Sequence, residues 1–215
     1  MQVDGTMMEL PRILGVILAG GEGRRVGGQD KGLLPVHGKP VIERVLSILR
    51  TQCDEVLIVA NRNRDEYTRY SRVIADETSG HAGPLAGIAA AFALVAERER
   101  PGLGDFGWLL TSPVDCPHLP SDLFARLHAA LQSTAGSPCA FASNAHRREP
   151  LFALYALEFR DALLASARAA LNVHASPLRW HMELDAVPVD FSDSAEAFRN
   201  LNTPEDFREY EQAHP

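Results

Sequence analysis

The sequence predicts an α/β domain in which a mostly parallel β-sheet is covered by helices on both faces, three layers in all. Three observations predict it. Short apolar runs alternate with helical stretches four times between Ile13 and Thr111. Those runs are hydrophobic on consecutive residues rather than on every second one, as strands buried on both faces require. A chain of 215 residues with 46% apolar and 23% charged residues is long enough for a domain of this kind with a full core.

Ile13 to Leu18 (ILGVIL) reads as the first buried strand. A long loop rich in Gly, Arg and Lys follows from Ala19 to Lys39, a length that compact domains rarely tolerate unless the loop binds something. Pro40 suits the first position of a helix whose apolar face carries Val41, Val45, Ile48 and Leu49. Glu55 to Ala60 is the second strand, Arg64 to Tyr70 a short polar helix or turn, and Arg72 to Asp76 the third strand. Pro84 begins another helix with Leu85, Ile88, Ala89, Phe92 and Val95 at helical spacing, and Trp108 to Thr111 is the fourth strand. Ser121 looks like the cap of a helix through Leu123, Leu127 and Leu131. Strands are expected near Cys139 to Ala142, Leu151 to Tyr155 and Val187 to Phe191, and an alanine-rich helix over Glu158 to Leu171. Thr203-Pro204-Glu205-Asp206 combines a cap, a first-turn proline and first-turn acids, so a last helix begins there. Ser133 to Pro138 and Asn172 to Pro177 read as loops.

Residues 1–12 read as a flexible extension and residues 13–215 as one domain. The formal net charge of -7 argues against a duplex-binding protein, which needs a basic face, so no nucleic-acid partner is expected. No run approaches the ~20 apolar residues of a membrane span, and the N-terminal segment lacks the pattern of a signal peptide. Cys53, Cys116 and Cys139 lie far apart without a CxxC pair, which fits reduced thiols in a cytosolic protein rather than a disulfide framework or a zinc site. The eight histidines show no metal spacing.

The informative stretch is LAGGEGRRVGGQDKG, residues 18–32. Glycines let backbone amides approach phosphates, and Arg25 and Lys31 add fixed positive charge. The loop follows the carboxyl end of a strand, where ligands of open α/β sheets bind. It is not a Walker loop, because Lys31 is followed by Gly32 rather than Ser or Thr. Nor is it a dinucleotide fingerprint, because Val26 stands where the third glycine belongs. Asp76 and Asp115 each follow an apolar strand, and parallel packing brings those strand ends to one edge of the sheet. Carboxylates there suit magnesium shared with phosphate oxygens, although an Asp after a strand also serves as a turn residue or a helix cap.

LAGGEGRRVGGQDKGLLPVHGKP resembles the signature of nucleotidyltransferases with the glycosyltransferase-A-like, Rossmann-like fold. Its GG-D-K-G-L form is similar to the molybdenum cofactor guanylyltransferase (MobA) family. Four further stretches match that family in order: Ala60-Asn61-Arg62, Gly83 to Gly87 (GPLAG), Asp115-Cys116-Pro117 with Leu119-Pro120, and Asn200 to Pro204 (NLNTP). The resemblance covers about residues 13 to 207.

The resemblance implies transfer of GMP from GTP to molybdopterin, with magnesium as cofactor. It implies that Leu18, Ala19, Gly20 and Gly21 meet the nucleotide through backbone groups, that Lys31 contacts phosphate, and that Arg25 is functionally important. Asp115 would ligate the metal and Asp76 contact the nucleotide. Gly87 would permit close backbone approach, with tight helix-to-sheet packing as the plainer reading. Asn200 and Asn202 would meet the pterin, the plainer reading being that Asn202 and Thr203 cap the last helix. The N-terminal half would then bind GTP and the C-terminal half molybdopterin, with transient contacts to molybdenum insertion proteins or apo-molybdoenzymes. The family often has Asn where this chain has Val59, and the nearest Asn is Asn61. The loop His146-Arg147-Arg148 is a candidate for the substrate phosphate or a solvated turn. Competing readings are a cytidylyltransferase acting on the same pterin, a sugar-1-phosphate enzyme, or a nonenzymatic nucleotide-binding carrier.

Overall fold

Strand β1 (Arg12–Leu18) lies inside a seven-stranded sheet whose order is β5-β4-β1-β6-β8-β7-β9. The computed structural model describes residues 11–20, 28–76, 83–97 and 106–214. The strands are β4 (Glu55–Val59), β5 (Arg72–Ile74), β6 (Phe106–Pro113), β7 (Cys139–Ser143), β8 (Arg148–Ala156) and β9 (Val187–Asp190). All neighbouring pairs are parallel except those of β8, which runs antiparallel to both β6 and β7.

Both faces of the sheet are apolar because both are covered, as parallel strands demand. In β1, Leu14, Val16 and Leu18 enter one core cluster while Ile17 enters the other, the period of two that alternating side chains impose. The first cluster lies under α3 (Pro84–Ala96), α5 (Arg160–Asn172) and α6 (Pro177–Glu183). The second lies under α1 (Val41–Leu49), α4 (Leu123–Ser133) and α7 (Pro204–Ala213). The three-layer architecture expected from the sequence is the architecture found.

The differences are local. Residues 35–40, read as loop and helix start, form a small hairpin of β2 (Pro35–Val36) and β3 (Lys39–Pro40). His37 and Gly38 make its turn at positive φ, the conformation that matches strand twist in a two-residue connection. Helix α1 therefore starts at Val41, with Pro40 as its cap residue. Short α2 (Arg64–Tyr67) stands where the polar helix or turn is expected. Ser121 does not cap α4. Its N-cap residue is Asp122, and the orphan amide of Phe124 donates to Gln52 Oε1 at 3.0 Å, a cap supplied from a distant segment. Helix α6 follows the segment read as a loop, with Ser176 accepting from Arg179 N at 3.2 Å and Pro177 in the first turn. Residues 1–10 of the expected extension lie outside the described residues, and Arg12 already pairs with Phe106 in the sheet.

Candidate active site

The carboxyl ends of β5, β4, β1 and β6 meet at one edge and are closed there by backbone hydrogen bonds. Val114 N donates to Leu18 O at 3.1 Å, Ala19 N to Val59 O at 2.9 Å, and Ala60 N to Ile74 O at 2.9 Å. Leu18 and Ala19 thus already commit backbone groups to the sheet. Gly20 is exposed, and among the described residues nothing lies within 4 Å of where a Cβ would stand. Gly21 and Arg25 lie outside the described residues.

Asp115 sits just past β6 at this edge. Lys31 Nζ lies 3.0 Å from Asp115 Oδ2 and donates to Asn202 Oδ1 at 2.5 Å. Lys31 and Asp115 are about four-fifths buried, with side-chain exposures of 22% and 18%. The ammonium joins two segments that are 84 and 171 residues from it in sequence. A third link comes from Leu201 N, which donates to Asp115 O at 2.7 Å and draws the Asn200-Leu201-Asn202 segment across the end of β6.

Lys31 is aimed by its neighbours. It opens a single 3-10 turn, Lys31–Leu33, whose cap Asp30 accepts from Gly32 N at 3.2 Å and from the Tyr67 hydroxyl at 2.6 Å. The other Asp30 oxygen accepts from Asn63 Nδ2 at 3.1 Å. Burial, reinforced by the Asp30 charge, raises the Tyr67 hydroxyl far above its ordinary pKa, so it stays a donor. Gly32 permits this close packing: a Cβ there would press on the Tyr67 hydroxyl and come within 2.6 Å of Val114 Cγ2. Sequence reasoning missed Asp30, Asn63 and Tyr67. Only the Asp before Lys31 was a signal, since Asp is a common turn and cap residue.

Just before Thr203, the residue that caps α7, stands Asn202. Its backbone N–H donates to Asp206 Oδ2 at 2.9 Å, alongside the Thr203–Asp206 capping box that starts α7, while its side chain turns to Lys31. Burial opposes ionisation of Asp206, but the donors from Asn202 and Thr203 outweigh it and hold the carboxyl below its usual range. Asn200 Oδ1 is buried, and among the described residues it has no hydrogen-bond partner.

Asp76 lies at the same edge, its N–H donating to Asn61 Oδ1 at 3.1 Å. Three strand spacings separate β5 from β6, about 14 Å at the usual spacing. Asp76 and Asp115 therefore stand on strands too far apart to share one metal ion. Gly87 is buried where α3 crosses β1 and β4, and a Cβ there would stand 3.0 Å from Leu18 Cδ2 and 3.3 Å from Val59 Cγ1. Its geometry is that of tight helix-to-sheet packing, and Val59 is the residue it packs against. Among the described residues no group of three or more His, Cys, Asp or Glu could hold a metal ion. The three cysteines are free, and burial pushes the Cys53 and Cys139 thiols up to about 12, which leaves them unreactive.

The MobA-like NTP transferase domain matches residues 15–182. The chain belongs to this family. The molybdenum cofactor guanylyltransferase of Shewanella amazonensis is 39% identical over 206 residues, covering 94% of this chain and 97% of the relative. That of Shewanella putrefaciens is 38% identical, covering 91% and 94%. Among solved structures, molybdopterin-guanine dinucleotide biosynthesis protein A from Archaeoglobus fulgidus matches with a TM-score of 0.71 at 24% identity, covering 93% of this chain and 97% of that one. A 4-diphosphocytidyl-2C-methyl-D-erythritol synthase matches with a TM-score of 0.62 at 16% identity, covering 95% and 98%. These two likenesses concern the fold. Membership in the MobA-like NTP transferase family makes the chain a nucleotidyltransferase. No helix among the described residues is long and apolar enough to cross a membrane.

Proposed function

We propose that this chain transfers GMP from GTP to the terminal phosphate of molybdopterin, releasing pyrophosphate and forming a guanine dinucleotide of the cofactor. The observation that carries the reading is the Lys31 ammonium held between Asp115 and Asn202 at the sheet edge where the glycine-rich loop begins. Its support is the likeness to relatives named molybdenum cofactor guanylyltransferase over nearly their whole length.

In the reaction a phosphate oxygen of the acceptor attacks the α-phosphorus of GTP, and pyrophosphate leaves from the opposite side. The nucleophile is already an anion, so no general base is required. What the protein supplies is alignment and charge neutralisation. Lys31 faces the phosphates, with Arg25 assigned the same task. Gly20 and Gly21 admit the nucleotide to the backbone, Leu18 and Ala19 shape the wall beside it, and Asp76 and Gly87 border the far end. Asn200 and Asn202 hold the acceptor, and the orphaned Asn200 oxygen offers a buried acceptor for a pterin N–H.

The residue chemistry fits magnesium: Asp115 is a carboxylate, and the Asn202 amide oxygen shares Lys31 with it, both hard oxygen ligands. A lone carboxylate suits an ion that keeps its waters and shares triphosphate oxygens. Bound at Asp115, magnesium would supply charge stabilisation on the departing pyrophosphate. Free thiols fit a cytosolic protein, which would meet molybdenum insertion proteins or apo-molybdoenzymes there.

The test is pyrophosphate release with GTP, CTP, ATP and UTP, each with and without magnesium, in the presence of molybdopterin. Metal-dependent release with GTP alone is expected. Release with CTP would overturn the base assignment, and binding of GTP without release would make the chain a carrier.

A further inference from the structure

The β7–β8 hairpin carries an ion pair with a buried carboxylate, Arg147–Glu149, that the transfer chemistry above leaves unused. β8 runs antiparallel to β6 with Thr111 opposite Ala153, so its N-terminal end passes beyond the C-terminal end of β6. The pairing with β6 ends at Thr111–Ala153, so residues 148–152 of β8 reach the same end of the sheet as residues 112–115. The pairing of β8 with β7 jumps from Phe141–Ala153 to Ala142–Glu149, which leaves Pro150, Leu151 and Phe152 as a bulge that re-aims the end of β8. Glu149 is 4% exposed. Arg147 closes over it, with Nε 2.5 Å from one carboxylate oxygen and Nη2 donating to the other at 2.8 Å.

The arginine is pinned at both ends. Its own N–H and that of His146 donate to Asn144 Oδ1 at 2.9 and 3.0 Å, and Asn144 N donates to Arg147 O at 2.9 Å. Its side chain is 56% exposed, although its partner is buried. Glu149 takes the Nε and Nη2 side of the guanidinium, and the Nη1 edge has no partner among the described residues. A guanidinium edge of this kind fits a phosphate. The pair lies beside the site: burial first, then Asp115, raises the Cys116 thiol, and Glu149 and Arg147 both act on it electrostatically.

We propose that Arg147 receives the phosphate of the acceptor substrate and that Glu149 is the positioning residue that holds its guanidinium at the active edge. The inference rests on the proposed transfer to a phosphate-bearing acceptor. In the sheet order β1-β6-β8, the loop bearing Lys31 comes from the β1 side of Asp115, and Arg147 comes from the β8 side. Lys31 is committed to Asp115 and Asn202. An anionic acceptor must approach an edge that already carries Asp115 and a triphosphate, and a cation on its own side offsets that repulsion. A buried carboxylate beside the site would repel both substrates if it were unpaired, so Glu149 serves only with Arg147 in place.

Steady-state pyrophosphate release tests the pair. Arg147→Ala should raise the KM for molybdopterin roughly ten- to hundredfold while the KM for GTP stays within about twofold. Glu149→Gln should raise the molybdopterin KM several-fold and add nothing once Arg147 is gone, because it acts through the arginine. Arg147→Ala strands a buried carboxylate, so the double variant R147A/E149Q, which removes both charges, must show the same rise. A purely structural pair would instead lower thermal stability and move both KM values together. Inorganic phosphate, titrated by phosphorus NMR against Lys31→Ala protein, gives a readout that needs no turnover: adding Arg147→Ala should abolish the remaining binding. Unchanged molybdopterin KM in both Arg147 variants, or phosphate binding that survives loss of Arg147, would overturn the assignment. Wild-type protein that never uses molybdopterin would instead refute the proposed acceptor, and the phosphate titration would then decide Arg147 alone.

Discussion

Replacing Lys31 by methionine keeps the apolar stem and removes the ammonium. Two charge-assisted hydrogen bonds vanish, one to Asp115 at 3.0 Å and one to Asn202 at 2.5 Å, each worth about 1.5–3 kcal/mol where it is shielded from water. The free protein should feel only part of this. Asp115 keeps 18% of its side chain in solvent, where it rehydrates, so the net destabilisation should be about 1–2 kcal/mol. For a chain of this size that lowers Tm by a few °C, at about 2–4 °C per kcal/mol. The transition state should feel much more, because charge shifts onto the pyrophosphate as the new bond forms. Loss of one preorganised donor costs about a hundred- to a thousandfold in kcat. The assay is single-turnover pyrophosphate release at saturating GTP, with thermal melting of the same sample. A folded Lys31→Met protein with wild-type kcat would refute the assignment of the ammonium to the reacting phosphates.

Three further outcomes follow from the same geometry. Asp115→Ala should abolish turnover in a protein that still folds by circular dichroism, with Tm lowered by a few °C through the lost Lys31 pair, and normal turnover by the folded variant would sink the metal assignment. Gly32→Ala should destabilise by about 1–3 kcal/mol through overpacking against Tyr67 and Val114 and should lower kcat by displacing Lys31; wild-type melting and rate together would refute the packing account. His181 is fully buried against Tyr155, and burial lowers its imidazole to about 4 from an ordinary value of about 6.5. Its folded pKa is depressed, so its contribution is complete above about pH 6.5 and is lost as pH falls toward 4, about 3 kcal/mol in all and about 2 kcal/mol of it by pH 5. Denaturant melts at pH 7.5 and 5 should therefore show a smaller acid loss for His181→Gln than for wild type, and parallel losses would remove His181 as the cause.

The strands and most helices were legible because each obeys a local rule. Ile13 to Leu18 reads as a doubly buried strand from six residues alone. Thr203-Pro204-Glu205-Asp206 reads as a helix start because cap, proline and acids are adjacent in sequence, and the structure forms that capping box. Helix α6 was equally legible in principle: Ser176-Pro177 is the same cap-and-proline signal, obscured by the short helix behind it. The cap of α4 was not legible, because Gln52 provides it from 72 residues away.

By itself the sequence determined the α/β class, the position of the glycine-rich loop and the charge of Lys31 within it, which are local patterns, while the family resemblance singled out Asp115 and Asn202. It also resembled the family to which the chain belongs. Only the tertiary structure decided that these three residues touch, that Asp76 stands about three strands away from Asp115, and that Asp30 and Tyr67 aim the lysine. It also decided that the Asn202 backbone bonds Asp206 at the start of α7 while its side chain turns to Lys31, and that Arg147 is fixed by a buried carboxylate. The physical reason is common to all of these. Strand order, the antiparallel turn of β8 and side-chain packing between distant segments depend on which surfaces bury one another, and no local window of sequence contains that information.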